Sequence, residues 1–156
     1  MAAAAPLSLR GRALRYLARR EHSRAELERK LTASLRDSDE ADLGEKIRRT
    51  LDDLAARGLL SDERAAESLL ASQSRRFGSR RLKQSLLAKG LAPELVAATV
   101  QQSRATEAER ARDLWLRRFG TTPADAAARA RQMRFLAGRG FDADIIRRLV
   151  KGDPED

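Results

Sequence analysis

The chain has 156 residues, 42% of them hydrophobic, and carries 32 Lys and Arg against 23 Asp and Glu, a formal net charge of +9. It has no cysteine, which excludes a disulfide framework and a thiolate metal site, and no apolar run reaches the length of a membrane span. Few aromatic residues beside abundant Ala, Leu, Arg and Glu favour an all-α fold. The charge balance indicates an acidic partner, most often nucleic acid, with an arginine-rich solvated surface as the alternative.

Apolar residues at helical spacing predict nine helices, preceded by an apolar opening segment. That opening, MAAAAPLSLR, is short and has no basic residue ahead of its apolar part. We therefore interpret it as a frayed N-terminus rather than a signal peptide, and expect a cytoplasmic protein. The first helix is predicted over residues 9–20. The second begins at a capping box of Ser23 and Glu26, and the third is expected to be capped by Asp42 and Glu45.

The middle three helices are marked by caps and breakers. The fourth is predicted to begin at Ser61 and to end at the Phe77-Gly78 break. Ser79 is expected to cap the fifth helix, because a hydroxyl can accept a hydrogen bond from an early backbone N–H. Pro93 suits the first position of the sixth helix, where its missing N–H is not needed.

The last three helices are predicted from similar signals. Thr106 and Glu109 have the spacing of a capping box and are expected to begin the seventh helix. Thr122-Pro123 is expected to open the eighth helix, and Asp142 to cap the ninth.

Internal similarity groups the nine helices into three units. HSRAELERKL at 22–31 is similar to FGSRRLKQSL at 77–86, and LLAKGLAPELV at 86–96 is similar to LAGRGFDADII at 136–146. A basic-Gly-apolar helix end occurs at Gly58, Gly90 and Gly140. We therefore predict three tandem three-helix repeats that stack into an elongated, curved protein. The predicted segments are a flexible N-terminus at 1–8, repeats at 9–58, 59–105 and 106–152, and a flexible C-terminus at 153–156.

Three stretches of the chain carry cations and no acid. Ser68–Pro93 is the longest of them, and the other two are Met1–Arg20 and Ala126–Phe141. If the repeats stack regularly, the last two repeats could present their cations along one groove that follows a phosphate backbone or an acidic protein surface. The alternative is that these are ordinary solvated helix faces. Phe77 and Phe135 lie among the arginines, but we expect both to pack in the core.

No catalytic constellation is visible. The single histidine, His22, stands at a helix start and is expected to pack or cap rather than to act as a base. No Gly-rich phosphate loop is present, and carboxylate pairs such as Asp52-Asp53 and Asp142/Asp144 suit helix surfaces and first turns. We therefore expect a protein without enzymatic activity, metal or cofactor.

Four segments of the chain resemble the RecX family of bacterial recombination regulators. They are SRAELERKL (23–31), LAARGLLSDERAA (54–66), SRRFGSRRLKQSLLAKGL (74–91) and RQMRFLAGRGF (131–141). The resemblance covers nearly the whole chain and implies the same fold of three three-helix repeats. It further implies a regulator that binds the filament of the RecA recombinase on single-stranded DNA. Such a regulator inhibits the ATPase, strand-exchange and co-protease activities of RecA, and thereby modulates homologous recombination and the SOS response.

The expected partners are the RecA filament and single-stranded DNA, with double-stranded DNA as a further candidate, and no membrane. We expect a monomer. A module that acts only by occupying DNA, without sequence preference, is the alternative function. The residues expected to form the basic binding groove are Arg75, Arg76, Arg80, Arg81, Lys83, Lys89, Arg129, Arg131, Arg134 and Arg139.

Overall fold

The computed structural model describes residues 4–151, and every regular element in that part of the chain is an α-helix. This confirms the predicted all-α fold. Of the predicted flexible termini, 1–3 and 153–156 lie outside the described residues. The helices are α1 (Leu9–Arg19), α2 (Arg24–Ser34), α3 (Leu43–Ala56), α4 (Asp62–Gln73), α5 (Ser79–Ala88), α6 (Pro93–Arg118), α7 (Ala126–Gly138) and α8 (Ala143–Lys151).

The chain divides into two compact units. Unit 1 runs up to Ala66 and also takes in Lys89–Leu91; unit 2 comprises Glu67–Ala88 and the residues from Ala92 onward. Both α4 and the α5–α6 connection therefore pass from one unit to the other. The boundaries of the three repeats stay a prediction.

The core of unit 1 is built by α1, α2 and α3. Leu27 and Leu31 of α2 are fully buried, as are Leu51 and Leu54 of α3, and Ala13 of α1 packs against them. These positions are three or four residues apart on each helix, so each helix presents one apolar stripe to the others.

The core of unit 2 is built around Trp115 of α6. It packs with Leu136 of α7, Phe141, and Ile146 of α8. The indole N–H of Trp115 donates to the side-chain oxygen of Gln132 at 2.8 Å, so its polar edge is satisfied inside the core.

One long helix replaces the predicted sixth and seventh helices. α6 continues without a break through Thr106, so the capping box predicted for Thr106 and Glu109 is wrong. The hydroxyl of Thr106 instead accepts a hydrogen bond from Arg110 one turn later. The physical reason is that no Gly or Pro interrupts the chain between Pro93 and Gly120, while Ala, Glu and Arg favour helix throughout.

Three further predicted helix starts differ from the structure. Asp42 has a left-handed backbone and makes no side-chain cap hydrogen bond to α3. Ser79 lies inside α5, and its hydroxyl donates to Glu107 at 2.6 Å instead of capping the helix. α7 begins at Ala126 rather than at Thr122-Pro123, since Asp125 caps it by accepting from the N–H of Ala128 at 2.7 Å.

Other local predictions are confirmed. Ser23 and Glu26 form the capping box, with the Ser23 hydroxyl accepting from the N–H of Glu26 at 3.1 Å. The helix-ending glycines Gly58, Gly90 and Gly140 all have positive φ, at 73°, 69° and 80°. Within residues 4–151, no helix combines the length and the apolar character needed to cross a membrane.

Candidate functional site

Unit 2 gathers cations around two phenylalanine rings. The guanidinium carbon of Arg81 lies 4.3 Å from the ring centre of Phe77, and that of Arg76 lies 5.4 Å from it. Arg139 reaches both rings, at 5.6 Å from Phe77 and 5.2 Å from Phe135, while Arg118 lies 5.3 Å from Phe135. All these distances suit cation–π contacts. The name arginine cluster is used below for Arg76, Arg81, Arg118 and Arg139.

Backbone hydrogen bonds hold the two halves of the arginine cluster together. The N–H of Gly78 donates to the carbonyl of Arg139 at 2.9 Å, and the N–H of Arg80 donates to the carbonyl of Gly140 at 3.0 Å. The start of α5 therefore lies directly against the turn between α7 and α8. Because backbone positions are fixed, the side chains that project from both segments converge on the same place.

A buried carboxylate anchors this junction from α6. Glu107 is only 1% exposed. It accepts hydrogen bonds from the N–H of Ser79 at 3.2 Å, the hydroxyl of Ser79 at 2.6 Å and the N–H of Asp142 at 3.0 Å. The N–H of the first residue of α5 and the N–H of the residue just before α8 thus share one anion, which the dipoles of both helices also favour.

Arg110 fixes the chain before the junction. Its guanidinium donates to the carbonyls of Ser74 and Phe77, both at 2.7 Å, and to the carbonyl of Ser103 at 2.9 Å. Burial lowers the pKa of Arg110, and the negative charge of Glu107 partly offsets this. The side chain supports the turn that carries Arg76 and Phe77, so its role is structural.

The arginine cluster lacks acidic partners. Among residues 4–151, no carboxylate lies within ion-pair distance of its four guanidinium groups. Aromatic faces hold the guanidinium groups, while their N–H edges have no hydrogen-bond partner in the described part of the chain. Guanidinium groups in such an arrangement can each bind a phosphate or carboxylate with two parallel hydrogen bonds.

Of the predicted groove residues, the structure places Arg76, Arg81 and Arg139 around the ring of Phe77. The remaining predicted residues of unit 2 are exposed but lie outside the arginine cluster: Arg75, Arg80, Lys83, Arg129, Arg131 and Arg134. Lys89 belongs to unit 1, where its ammonium donates to Glu26 at 2.6 Å. That ion pair gives Lys89 a role in folding, while its contact with a partner stays a prediction.

Sequence reasoning missed Arg118, Glu107 and Arg110. Arg118 lies outside the acid-free stretches, and the only sequence signal for it is its place directly before Phe119. The ring of Phe119 packs edge-on against that of Phe135, with 5.4 Å between the ring centres. Glu107 and Arg110 look like ordinary surface residues of a charged helix, because their partners are far away in sequence. Phe135 packs against the core of unit 2 as predicted, and its ring also carries two arginines.

His22 packs in unit 1, as predicted. It is 2% exposed, and its Nδ1 lies 3.0 Å from the carbonyl of Arg20, so Nδ1 must donate. Nε2 then accepts from the ammonium of Lys30 at 2.9 Å, which assigns a neutral ring. Burial lowers the pKa of His22 and favours the same form. Within the described part of the chain, no group of His, Asp and Glu is arranged to hold a metal ion.

Acid is expected to destabilise unit 1 through Glu26. Burial alone would raise the pKa of this carboxyl, but hydrogen bonds from Arg20 and Lys89 outweigh burial and lower the pKa to about 2. The folded state therefore gains stability above the ordinary carboxyl pKa and loses it as the pH falls from about 4.5 towards about 2. Because both cations are partly exposed and screened by solvent, we expect a loss of about 2 kcal/mol.

Urea unfolding at about pH 6 and at about pH 3 measures this loss. The variant Glu26→Gln serves as the reference, because it cannot titrate and should lose less stability between the two pH values. An equal loss in the wild type and the variant would show that other carboxyl groups control the acid response.

The fold and the arginine cluster define an all-helical repeat protein with an unpaired basic surface. Three family models match the chain in order: the first three-helix domain of RecX at residues 10–42, the second at 61–100 and the third at 105–150. The chain belongs to the RecX family of regulatory proteins. The boundary between its second and third domains falls inside α6.

Individual relatives agree with this assignment. The regulatory protein RecX of Leptothrix cholodnii is 50% identical over 145 residues, which cover 93% of this chain and 88% of that protein. The regulatory protein RecX of Ralstonia pickettii is 43% identical over 96% of this chain and 91% of its own length. The crystal structure of RecX from Lactobacillus salivarius has the same fold, with a TM-score of 0.72 at 21% identity and 92% coverage of both chains.

Proposed function

We propose that this chain binds the RecA filament on single-stranded DNA and inhibits its ATPase, strand-exchange and co-protease activities, and so modulates homologous recombination and the SOS response. The observation that carries this proposal is the match to all three RecX domains in order, together with relatives named regulatory protein RecX at up to 50% identity. In this proposal the chain acts in the cytoplasm as a monomer, without a cofactor and without catalytic activity of its own.

The arginine cluster is the proposed centre of the contact with the filament. Its guanidinium groups are held on aromatic rings and lack carboxylate partners among residues 4–151, so little rearrangement is needed before they bind an anion. The exposed cations around it, from Arg75 to Lys83 and along α7, extend the positive surface. Such a surface suits the phosphates of DNA or an acidic groove of the filament.

Titration of this protein into the DNA-dependent ATPase of RecA on single-stranded DNA tests the proposal. Inhibition at amounts far below both RecA and the available DNA sites is expected, since occupancy of DNA cannot act at that ratio. Absence of inhibition at every ratio would refute the proposal. Inhibition only when this protein approaches the number of DNA sites would instead support the alternative, a module that acts by occupying DNA.

Charge reversal at Arg80 and Arg81 is expected to weaken RecA inhibition about tenfold or more while leaving DNA affinity nearly unchanged. Loss of one or two charge-assisted contacts of about 1.4 kcal/mol in total gives a change of that size. Both substitutions place glutamate in the first turn of α5, where the helix dipole favours it, so the fold should persist.

The matched control reverses Arg104 and Arg148, which are exposed and make no ion pair among the described residues. The two variants have the same net charge, so only the position of the change differs between them. If the Arg80/Arg81 variant loses DNA affinity and salt dependence together with inhibition, the occupancy alternative is favoured.

A further inference from the structure

The arginines of α1, together with Arg20 directly after it, fall into two groups. Arg10 donates to Asp53 at 2.8 Å and Arg20 donates to Glu26 at 2.5 Å, so these two have partners within unit 1. Arg12, Arg15 and Arg19 make no ion pair with any carboxylate among residues 4–151. The acid-free opening stretch of the sequence thus contributes structural ion pairs and, separately, a set of unpaired cations.

The unpaired arginines share one face of α1. Positions 12, 15 and 19 are separated by three and four residues, so their side chains lie above one another along the helix. They line a cleft of about 210 Å³ together with Leu7, Tyr16 and Ser34. Among the residues that the structure describes, no carboxylate lines this cleft, and the Arg12 guanidinium donates only to the backbone carbonyl of Leu7, at 3.3 Å. The name α1 cleft is used below for this site.

The charges next to the α1 cleft are also positive. Lys30 lies 5.1 Å from the ring centre of Tyr16. Burial lowers the pKa of its ammonium, and the charges of Arg19, Arg20 and Lys89 lower it further, against a partial offset from Glu26. Glu26 itself already accepts hydrogen bonds from two cations. The electrostatic potential at the α1 cleft therefore stays positive, which favours the binding of an anion from solution.

We propose that the α1 cleft binds backbone phosphates of single-stranded nucleic acid. A guanidinium fork matches a phosphate with two parallel hydrogen bonds, and three such forks stand in a row. Arg12 and Arg19 are about 10 Å apart along the helix axis, a length that spans two or three successive phosphates of one strand. An acidic peptide fits less well, because Leu7 is the only aliphatic side chain among the described residues of the cleft that could anchor it. The proposal concerns a site in unit 1, apart from the arginine cluster, and does not depend on the proposed function.

The test is the affinity of Arg15→Gln/Arg19→Gln for a short fluorescent oligothymidylate, measured by anisotropy over a range of salt concentrations. The expected result is an affinity about tenfold weaker and a salt slope shallower by about 1.4, since each phosphate neutralised on a single strand contributes roughly 0.7. Arg104→Gln/Arg148→Gln removes the same net charge and is expected to stay within about threefold of the wild type. Equal effects in the two variants would overturn the proposal.

Competition identifies the chemistry that the α1 cleft recognises. Unlabelled oligothymidylate should displace the probe from the wild type much more effectively than polyglutamate of the same charge; equal displacement would refute phosphate recognition. Both variants alter exposed side chains, so their thermal unfolding should match the wild type. Because this binding is measured without RecA, its outcome is independent of the ATPase titration, and either proposal can fail while the other stands.

Discussion

Replacement of Gly78 with alanine is expected to lower the free energy of unfolding by about 3 kcal/mol, or the melting temperature by roughly 10 °C. An added Cβ would lie 2.5 Å from the carbonyl oxygen of Gly140 and 2.5 Å from the Cα of Phe141. Both are backbone atoms, and the same carbonyl already accepts from Arg80. Relief of the clash therefore requires the start of α5 to separate from the turn after α7, which would also disperse the arginine cluster.

The control for this experiment is Gly138→Ala. A Cβ at Gly138 would meet nothing within 4 Å, and the residue lies in α7. This substitution is expected to leave stability unchanged or to raise it by up to about 1 kcal/mol, because alanine favours the helix more than glycine does. Thermal and urea unfolding followed by circular dichroism compare the two variants. If the Gly78→Ala variant had the same melting temperature as the wild type, the start of α5 and the turn after α7 would not be in close contact.

Removal of the buried carboxylate by Glu107→Ala is expected to lower the free energy of unfolding by about 4 kcal/mol. The substitution would leave the N–H groups of Ser79 and Asp142 and the hydroxyl of Ser79 without their acceptor. Each buried polar group that loses its partner costs about 1–3 kcal/mol, and the space left by the side chain adds to this loss. Urea unfolding measures the change.

Glu107→Gln separates hydrogen bonding from charge. Its amide oxygen can still accept from both backbone N–H groups, and its NH₂ can donate to the hydroxyl of Ser79 after that hydroxyl rotates. We expect a loss of about 1–2 kcal/mol, since only the interaction of the charge with the two helix N-termini is removed. Equal destabilisation by alanine and glutamine would show that charge, and not the shared acceptor, is what the junction needs.

Local sequence signals were sufficient for most of the fold. The leucine stripe of α3 and the glycines after α3, α5 and α7 depend on neighbours within a few residues, so periodicity and backbone freedom identify them directly. The capping box at Ser23 is equally local, because both of its hydrogen bonds join residues three apart.

Long-range contacts explain what the sequence could not show. Ser79 has the character of a cap, but its hydroxyl is bound by Glu107 across the unit. Thr106 and Glu109 have capping-box spacing, yet a capping box forms only where the chain changes direction, and nothing breaks α6 there. Spacing alone cannot distinguish a helix start from a helix interior that contains the same residue types.

The arginine cluster shows the same contrast between local signals, which the sequence reveals, and long-range contacts, which it does not. Acid-free stretches singled out Arg76, Arg81 and Arg139 because neighbours in sequence supply no compensating charge, and their role in binding stays a prediction. They could not predict that Lys89 pairs with Glu26, since that partner lies far away along the chain. Nor could they identify Arg118, which reaches the arginine cluster only through the contact of α6 with α7.

The continuity of α6 has a consequence for how RecX chains can change length in evolution. The helix runs for 26 residues and contains the boundary between the second and third family domains. One inserted residue would rotate everything after it by about 100° around the axis and shift it by about 1.5 Å. Val100 and Trp115 could then no longer face their present neighbours together. An inserted residue inside α6 should therefore disturb the packing of both repeats, whereas we expect insertions to be tolerated better in the loops at 35–42 and 119–125.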